Sequence, residues 1–422
     1  MKLRFRIIFL FFVGWILLYV SFSNPEEKFK LKQGARGKIC LGCHSDFENK
    51  LKNPYIHTPV KSGECSGCHN PHSSSHKKML DTDTKDICFK CHDDIIKGNF
   101  RSTHKVVIEG NCIRCHDPHA SDNKFNLLKS GNELCFDCHK VIADNVKGFR
   151  FKHSPVEKGC LNCHNPHVAS NSNFLLKDAV PSLCLKCHKT NTPAFLKQHM
   201  NYPVSNAKCT TCHNAHGSDI SGILYTTVHK PVADKMCNQC HEEPNSKTPF
   251  NTKKDVPELC KGCHSEMFND TYARKKLHEA LNDKESCLVC HTPHASNENK
   301  LIKESLSQVC GKCHFNLIDM SGKFKTKHNP VQQSKCAICH MPHSSNNDHL
   351  IQKDSIIDLC GSCHDWQKHS THPIGEKFLD PRDKTRIIDC ISCHRAHGTD
   401  YKFMLPFPEI NDLCTQCHIQ LR

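Results

Sequence analysis

All thirty-two cysteines of the 422-residue chain fall in sixteen copies of C-x-x-C-H, with none left over. They pair Cys40 with Cys43, Cys65 with Cys68, Cys88 with Cys91, Cys112 with Cys115, Cys135 with Cys138, Cys160 with Cys163, Cys184 with Cys187 and Cys209 with Cys212. The series continues with Cys237 and Cys240, Cys260 and Cys263, Cys287 and Cys290, Cys310 and Cys313, Cys336 and Cys339, Cys360 and Cys363, Cys390 and Cys393, and Cys414 and Cys417. Two thiols three residues apart lie on one side of a helical turn. They can reach the two vinyl groups of one porphyrin, and the next residue then points an imidazole at the iron. Structural zinc sites use C-x-x-C but do not require His after every pair. Dithiol redox chemistry needs a βαβ setting that the sequence does not offer. The motif therefore predicts covalent haem c, about sixteen per chain. Its iron ligands on one side are His44, His69, His92, His116, His139, His164, His188, His213, His241, His264, His291, His314, His340, His364, His394 and His418.

This reading accounts for an otherwise awkward composition. Aromatic residues make up only 7% and mean hydropathy is −0.55, too polar for a side-chain core over the whole length. Porphyrin must supply the buried apolar volume, so folding is coupled to attachment and the haem-free chain is expected to be largely unstructured. The formal charge of +14 is spread evenly rather than striped, which argues against nucleic-acid binding. Without Lys2, Arg4 and Arg6 it is +11. Sixteen ferric haems with ionised propionates would bring it to about −5, so the surplus lysines are read as propionate partners.

Met1 to Arg6 is basic, Ile7 to Phe22 is apolar, and Asn24-Pro25-Glu26-Glu27 ends the run. That is an export signal, with residues 1–23 removed after Ser23. The alternative is a retained membrane anchor, for which the apolar run falls short of the roughly 20 residues needed to span. In either case the remainder is exported, to the periplasm or the cell surface.

The thirty-four histidines leave eighteen outside the motifs, and these follow a repeat of about 48 residues. It reads H-x-P-V, a short gap, C-x-x-C-H-x-P-H, a polar stretch, then L-C-x-x-C-H. One copy runs from His57-Thr58-Pro59-Val60 through Cys65 and His72 to Cys88; others start at His153 and His328. The His three residues beyond the iron-binding one cannot wrap to the opposite face of the same haem. It should therefore serve a neighbour and force two haems together.

These motifs resemble the class III multihaem cytochromes and their relatives with doubled C-x-x-C-H motifs, over essentially all of 40–422. The resemblance implies that the upstream histidines His57, His104, His153, His199, His229, His278, His328 and His372 (or His369) serve the haem that follows each. It also implies that His72, His119, His167, His294, His343 and His397 serve the haems at Cys88, Cys135, Cys184, Cys310, Cys360 and Cys414. After His241 comes Glu242-Glu243-Pro244, so the fourth-position His is missing there. His216 is then the expected donor to the Cys260 haem. No His precedes the Cys40 motif, which leaves His76, His349 or His369 for that haem. Eight methionines follow no repeat, so bis-His, low-potential haems are expected.

The expected fold is mostly irregular: short α-helices wrapped around a haem array, with little or no sheet. Paired repeats are placed at 57–92, 104–139, 153–188, 229–264, 278–314, 328–364 and 372–418, with single motifs at Cys40 and Cys209. Thr190–Pro193 and the gap from Asp365 to Asp389 are candidate hinges. The repeat favours a linear row of haems over a compact cluster. The expected function is an electron carrier, not an enzyme. Expected partners are other redox proteins: a quinol-oxidising membrane complex, other cytochromes or extracellular acceptors. Membrane contact is expected only through an uncleaved amino-terminal segment. The competing reading is a multihaem oxidoreductase with one open haem, near His241 or at Cys40. A haem-bearing filament subunit is a variant of the first.

Overall fold

In every repeat but the last, where Cys390–Cys393 is α-helical, the residues around the first C-x-x-C-H form a tight 3-10 turn, as at Cys65–Gly67, Cys112–Arg114 and Cys336–Ile338. The second motif ends a short α-helix, as at Thr84–Phe89, Gly131–Phe136 and Ile356–Gly361. Both arrangements close the same bond: the His backbone N–H donates to the first cysteine's carbonyl, at 3.0 Å for His69 and 3.0 Å for His92. One turn therefore sets both thiols and the imidazole. The computed structural model describes residues 37–365 and 372–421. The leader at 1–23 and His369 lie outside them.

Sheet is confined to six antiparallel pairs among the described residues, five of them only two residues per strand. The short pairs join consecutive repeats by one rule. The dipeptide before an upstream His pairs with the dipeptide after the fourth-position His of the next repeat. Tyr55-Ile56 pairs with Ala120-Ser121, Ser102-Thr103 with Val168-Ala169, Thr227-Val228 with Ala295-Ser296, and Lys276-Leu277 with Ser344-Ser345. Phe151-Lys152 meets Gly217-Ser218 in the same way. Gly217 (φ 136°) has no room for a side chain there, since a Cβ would come within 2.9 Å of the Phe151 carbonyl.

Few apolar side chains are buried among the described residues. They are Ala120, Ala143, Val146, Ala169, Tyr202, Phe268, Ala295 and Val309, and half are alanines. Large apolar residues inside the motifs stay open: Leu161 is 50% exposed. No helix among the described residues is long and apolar enough to cross a membrane.

The chain divides into two compact lobes: Met1–Asn145 with Pro155–Ala179, and Val146–Ser154 with Val180–Arg422. The candidate hinge at Thr190–Pro193 is ordered by a helix start, with the Thr192 side chain accepting from the Phe195 N–H ahead of Pro193–Gln198. In the candidate hinge between Asp365 and Asp389, the strands Gly375–Asp380 and Asp383–Ile388 form a hairpin. Arg382 and Asp380 pair across its turn, and Asp389 and Ser392 form a capping box over Cys390–Cys393.

Candidate haem-ligand pairs

The Nδ1 of each first-motif histidine is committed to a backbone carbonyl nine or ten residues further on. His69 meets Lys78 O at 2.9 Å, His116 meets Phe125 O at 2.9 Å, His213 meets Gly222 O at 2.8 Å, His291 meets Lys300 O at 2.9 Å, and His394 meets Phe403 O at 2.8 Å. The accepting residue has positive φ in each of these turns: Lys78 57°, Phe125 63°, Gly222 75°, Lys300 58° and Phe403 58°. Only one of these is glycine, so the turn holds side-chain-bearing residues in the sparsely populated left-handed region to aim that carbonyl. An Nδ1–H donating to a carbonyl fixes the tautomer and leaves Nε2 free to bind metal.

Upstream histidines are oriented from the following repeat. His57 Nδ1 lies 2.9 Å from Pro118 O, His104 Nδ1 3.0 Å from Pro166 O and His229 Nδ1 2.8 Å from Pro293 O. The backbone N–H groups of the same residues donate to the carbonyls of His119, His167 and His294. His57 and His229 start short helices whose proline sits in the first turn, where a missing N–H costs nothing. Fourth-position histidines are placed by Asx turns, as where Asp117 Oδ1 accepts from His119 N and Asn165 Oδ1 from His167 N.

The imidazoles then meet in facing pairs. Second-motif histidines face upstream ones: His92 and His57 at 5.9 Å between ring centres, His139 and His104 at 6.1 Å, His188 and His153 at 6.1 Å, and His264 and His229 at 6.2 Å. The series continues with His314 and His278 at 6.2 Å, His364 and His328 at 5.9 Å, and His418 and His372 at 6.2 Å. First-motif histidines face fourth-position ones: His69 and His119 at 6.0 Å, His116 and His167 at 6.2 Å, and His241 and His294 at 5.8 Å. His291 faces His343 at 6.0 Å and His340 faces His397 at 6.1 Å. An imidazole nitrogen binds a first-row metal at about 2 Å, so two rings on opposite sides of one ion have centres roughly 6 Å apart. The separations fit that geometry, with two motif thiols beside each pair to hold a porphyrin. Burial lowers the pKa of His119, His167, His294, His343 and His397, which keeps their nitrogens uncharged at neutral pH.

This pairing corrects the partner assignment expected from the resemblance. The upstream His does not face the motif that follows it; it reaches past that motif to the second one. The fourth-position His does not serve the second motif of its own repeat; it reaches back to the first motif of the preceding repeat. The cause is the strand rule. Pairing Tyr55-Ile56 with Ala120-Ser121 brings His57 and His119 together at the junction of two repeats, from where each ring reaches a different motif. His264 is faced by His229, which displaces His216 from the role expected of it at Cys260. His216 stands at the corresponding Asx turn, its N–H donating to Asn214 Oδ1. Among the described residues His199 alone faces the motif that follows it, at 6.2 Å from His213. His76 Nδ1 lies 3.1 Å from Asp83 Oδ1, and the backbone carbonyl of His349 accepts from His340; neither ring faces another imidazole among the described residues. His72 is exposed and faces no imidazole among the described residues.

The motifs also adjoin one another in chain order. In the first lobe Cys40 lies against Cys65, Cys68 within electrostatic reach of Cys91, Cys88 against Cys112, Cys115 near Cys138, and Cys135 against Cys160. Burial and the neighbouring thiol push Cys88 and Cys135 up to about 11. In the second lobe the succession begins with Cys212 near Cys237. It continues with Cys240 near Cys263, Cys260 against Cys287, Cys290 near Cys313 and Cys310 against Cys336. It ends with Cys339 near Cys363, Cys360 against Cys390, and Cys393 near Cys417. Sequence spacing offered no signal for these contacts between repeats.

Identical motifs do not place their thiols alike. In first motifs the second cysteine is half-buried, as at Cys68, Cys115 and Cys163. Cys163 is held from behind, its carbonyl accepting from Lys177 N at 2.8 Å. In second motifs the second cysteine is exposed: Cys43, Cys91, Cys138, Cys187, Cys263, Cys313 and Cys363. Cys417, in the terminal repeat, is the half-buried exception. The difference follows from local structure. A first motif folds back under its left-handed turn, as where Lys177 and Leu175 close over Cys163 and Asn165. A second motif ends its helix, so the last thiol projects beyond the final turn. Exposed sulfur of this kind is not enclosed by side chains. Among the described residues no three His, Cys, Asp or Glu side chains gather as a bare-ion site.

The sequence model of a family described as "Doubled CXXCH motif" matches residues 57–97, 104–144, 153–193, 201–228, 229–269, 278–317, 328–369 and 385–422, well over half of the chain. No curated protein matches it.

Proposed function

The chain belongs to the doubled CXXCH motif family and is a multihaem c-type cytochrome with covalently bound haem c, and we propose that it relays electrons between redox partners outside the cytoplasm. The observation that carries this reading is the succession of adjoining motifs, from Cys40 to Cys160 in the first lobe and from Cys212 to Cys417 in the second. Haem c held between two imidazoles supplies a one-electron couple that needs no bond made or broken at the iron.

The chain's residues do the rest. Thioether-forming cysteines hold neighbouring groups close, and electron tunnelling falls off exponentially with distance. Facing imidazoles would hold a haem iron between them and keep substrates off it. Their Nδ1 bonds to fixed carbonyls lock ring orientation, which limits reorganisation when the charge changes. The His/His set, in place of Met/His, supports a low potential. Exposed motif residues such as Ile113, Leu161 and Ile338 find an apolar partner in porphyrin.

The basic-then-apolar leader supports export, and the partners suggested are a quinol-oxidising membrane complex, other cytochromes or an extracellular acceptor. Mass spectrometry of the mature holoprotein tests both haem count and amino terminus; sixteen haems and a start after Ser23 are expected. Potentiometric titration should place most midpoints below zero. A colourless secreted protein, or midpoints mostly above zero, would defeat the proposal.

A further inference from the structure

Of the seven fourth-position histidines, His119 alone has a carboxylate two residues ahead of it. The residues at that place are Asn70, Asp117, Asn165, Asn214, Thr292, Met341 and Arg395. Asparagine is enough to make the turn. Asn70 Oδ1 accepts from His72 N at 3.1 Å, Asn165 Oδ1 from His167 N at 3.1 Å and Asn214 Oδ1 from His216 N at 3.2 Å. Asp117 makes the same turn, its Oδ1 accepting from His119 N at 2.9 Å and from Ala120 N at 3.4 Å. Its charge is therefore surplus to the turn. That charge is also costly, because the Asp117 side chain is only 14% exposed and a carboxylate leaving water requires a partner.

The partner comes from a distant segment. Lys50, in the 3-10 helix Ser45–Lys52 that follows the Cys40 motif, donates to Asp117 Oδ2. The same segment closes over the histidine. The Phe47 ring stands edge-on to the His119 ring with centres 4.9 Å apart, Asn53 Nδ2 donates to Asp122 Oδ1 at 3.2 Å, and Tyr55-Ile56 pairs with Ala120-Ser121. Asp117 Oδ1 lies 3.8 Å from His119 Nδ1, whereas the ammonium is bonded to the other oxygen. The negative end of the pair thus faces the ring. His119 in turn faces His69 at 6.0 Å, beside the thiols of the Cys65 motif.

We propose that Asp117, compensated by Lys50, holds the Cys65 haem at a lower potential than a neutral residue in its place would. Ferric haem carries one more positive charge than ferrous haem, so an anion fixed beside its ligand favours the ferric state. Asp117 and Lys50 are positioning residues that act through His119. Lowering one member of the row makes it the donor to its neighbours. This inference rests on the electron-relay reading, because it requires one iron between His69 and His119.

The test uses the full-length holoprotein, in potentiometric titrations followed by visible absorbance and by low-spin electron paramagnetic resonance. His119→Ala should remove the low-spin signal of this haem and so identify its component. Asp117→Asn should make that one haem easier to reduce, by about tenfold in its reduction equilibrium, which is about 59 mV for one electron. Lys50→Met should move the same haem the opposite way, and Lys50→Arg should leave it at the wild-type position. The double variant Asp117→Asn with Lys50→Met should fall between Asp117→Asn and wild type. Titrations of both single variants that superimpose on wild type overturn the inference, as do shifts of the same sign in both. A pair with a structural role alone would change denaturant stability without opposed shifts. Should Asp117→Asn fail to load haem, Lys50→Met decides by itself, at a side chain that is 44% exposed. A haem-loaded, redox-active protein whose variants do not shift leaves the relay reading standing; a haem-free one removes both.

Discussion

Within the second lobe, the repeats from His229 to His397 and the single-motif segment from His199 to Val228 solve one problem in different ways. In the repeats, a first-motif histidine receives its facing imidazole from the next repeat: His294 for His241 at an interplanar angle of 14°, and His397 for His340 at 18°. At Cys209 the facing ring comes from just upstream, and His199 meets His213 at 53°. His199 is not oriented by a neighbouring repeat. It ends the helix Pro193–Gln198, bonds its Nδ1 to Phe195 O at 2.9 Å and stacks on the Phe195 ring at 4.2 Å. The reason lies one repeat later. Pro244 stands where the other repeats carry the fourth-position His, so the following repeat has no ring to send back. Tyr202, 4% exposed, instead donates its hydroxyl to Glu242 O at 2.7 Å. The facing imidazole is thus the feature retained, and the route by which the chain supplies it varies.

The largest expected effect tests what the two arrangements share. Haem-free protein should lose nearly all far-UV helical dichroism and near-UV signal, because apolar burial by side chains is slight in both regions. Persistent near-UV dichroism would show that the Phe195–His199 and Tyr202 contacts hold the single-motif segment together alone.

Next come the ligands. His199→Ala and His294→Ala should each convert one haem from low to high spin, with the other haems unchanged. Electron paramagnetic resonance counts the converted spins. If His199→Ala changes nothing, the local supply route is wrong; if His294→Ala changes nothing, the supply between repeats is.

A smaller effect is expected from Tyr202→Phe. Losing the hydroxyl leaves the Glu242 carbonyl without this buried partner, at a cost of about 1 kcal/mol. Denaturant titration of the holoprotein should register that loss, whereas Tyr401→Phe in the terminal repeat should not.

The smallest concerns the terminal repeat, where a hairpin is inserted between His372 and Cys390 without breaking the facing of His372 and His418. Its Asp380 carboxyl is held down at about 2 by hydrogen bonding to Arg382. An unfolded Asp titrates near 3.9, so between those values the unfolded hairpin binds more protons and its stability rises with pH. The contribution is complete above about pH 4 and lost as pH falls through about 2. Measured against the intrinsic rate at each pH, protection of the Arg382 amide, which donates to Asp380 Oδ1, should therefore fall a few-fold in acid, and Asp380→Asn should abolish that dependence. An unchanged exchange profile in the variant would refute the role given to this pair.

Much of the site is legible in the sequence because its chemistry is local. Two thiols and an imidazole within five residues need only one helical turn, and each motif forms that turn. The histidine repeat likewise picks out most of the residues that face the motifs, among them His57, His119 and His397, though His72 faces none among the described residues. Which ring faces which motif is not legible. Spacing allows His57 to address Cys65 or Cys88, and the choice rests on a two-residue strand pair with a segment more than sixty residues away. Nor does the shared motif show that Cys163 is half-buried while Cys187 is exposed, since that depends on what each turn folds against. The left-handed turns at Phe125 and Phe403 carry no glycine signal, and the hairpin at 375–388 reads in sequence as a hinge.

What sequence alone determined is therefore the covalent chemistry: the positions of attachment, the imidazole beside each and a chain too polar for a side-chain core over its whole length. Tertiary structure decided the second imidazole and the order of neighbours. The former follow from bonds closed within one turn, whereas the latter depend on strand register between repeats, which no single repeat contains.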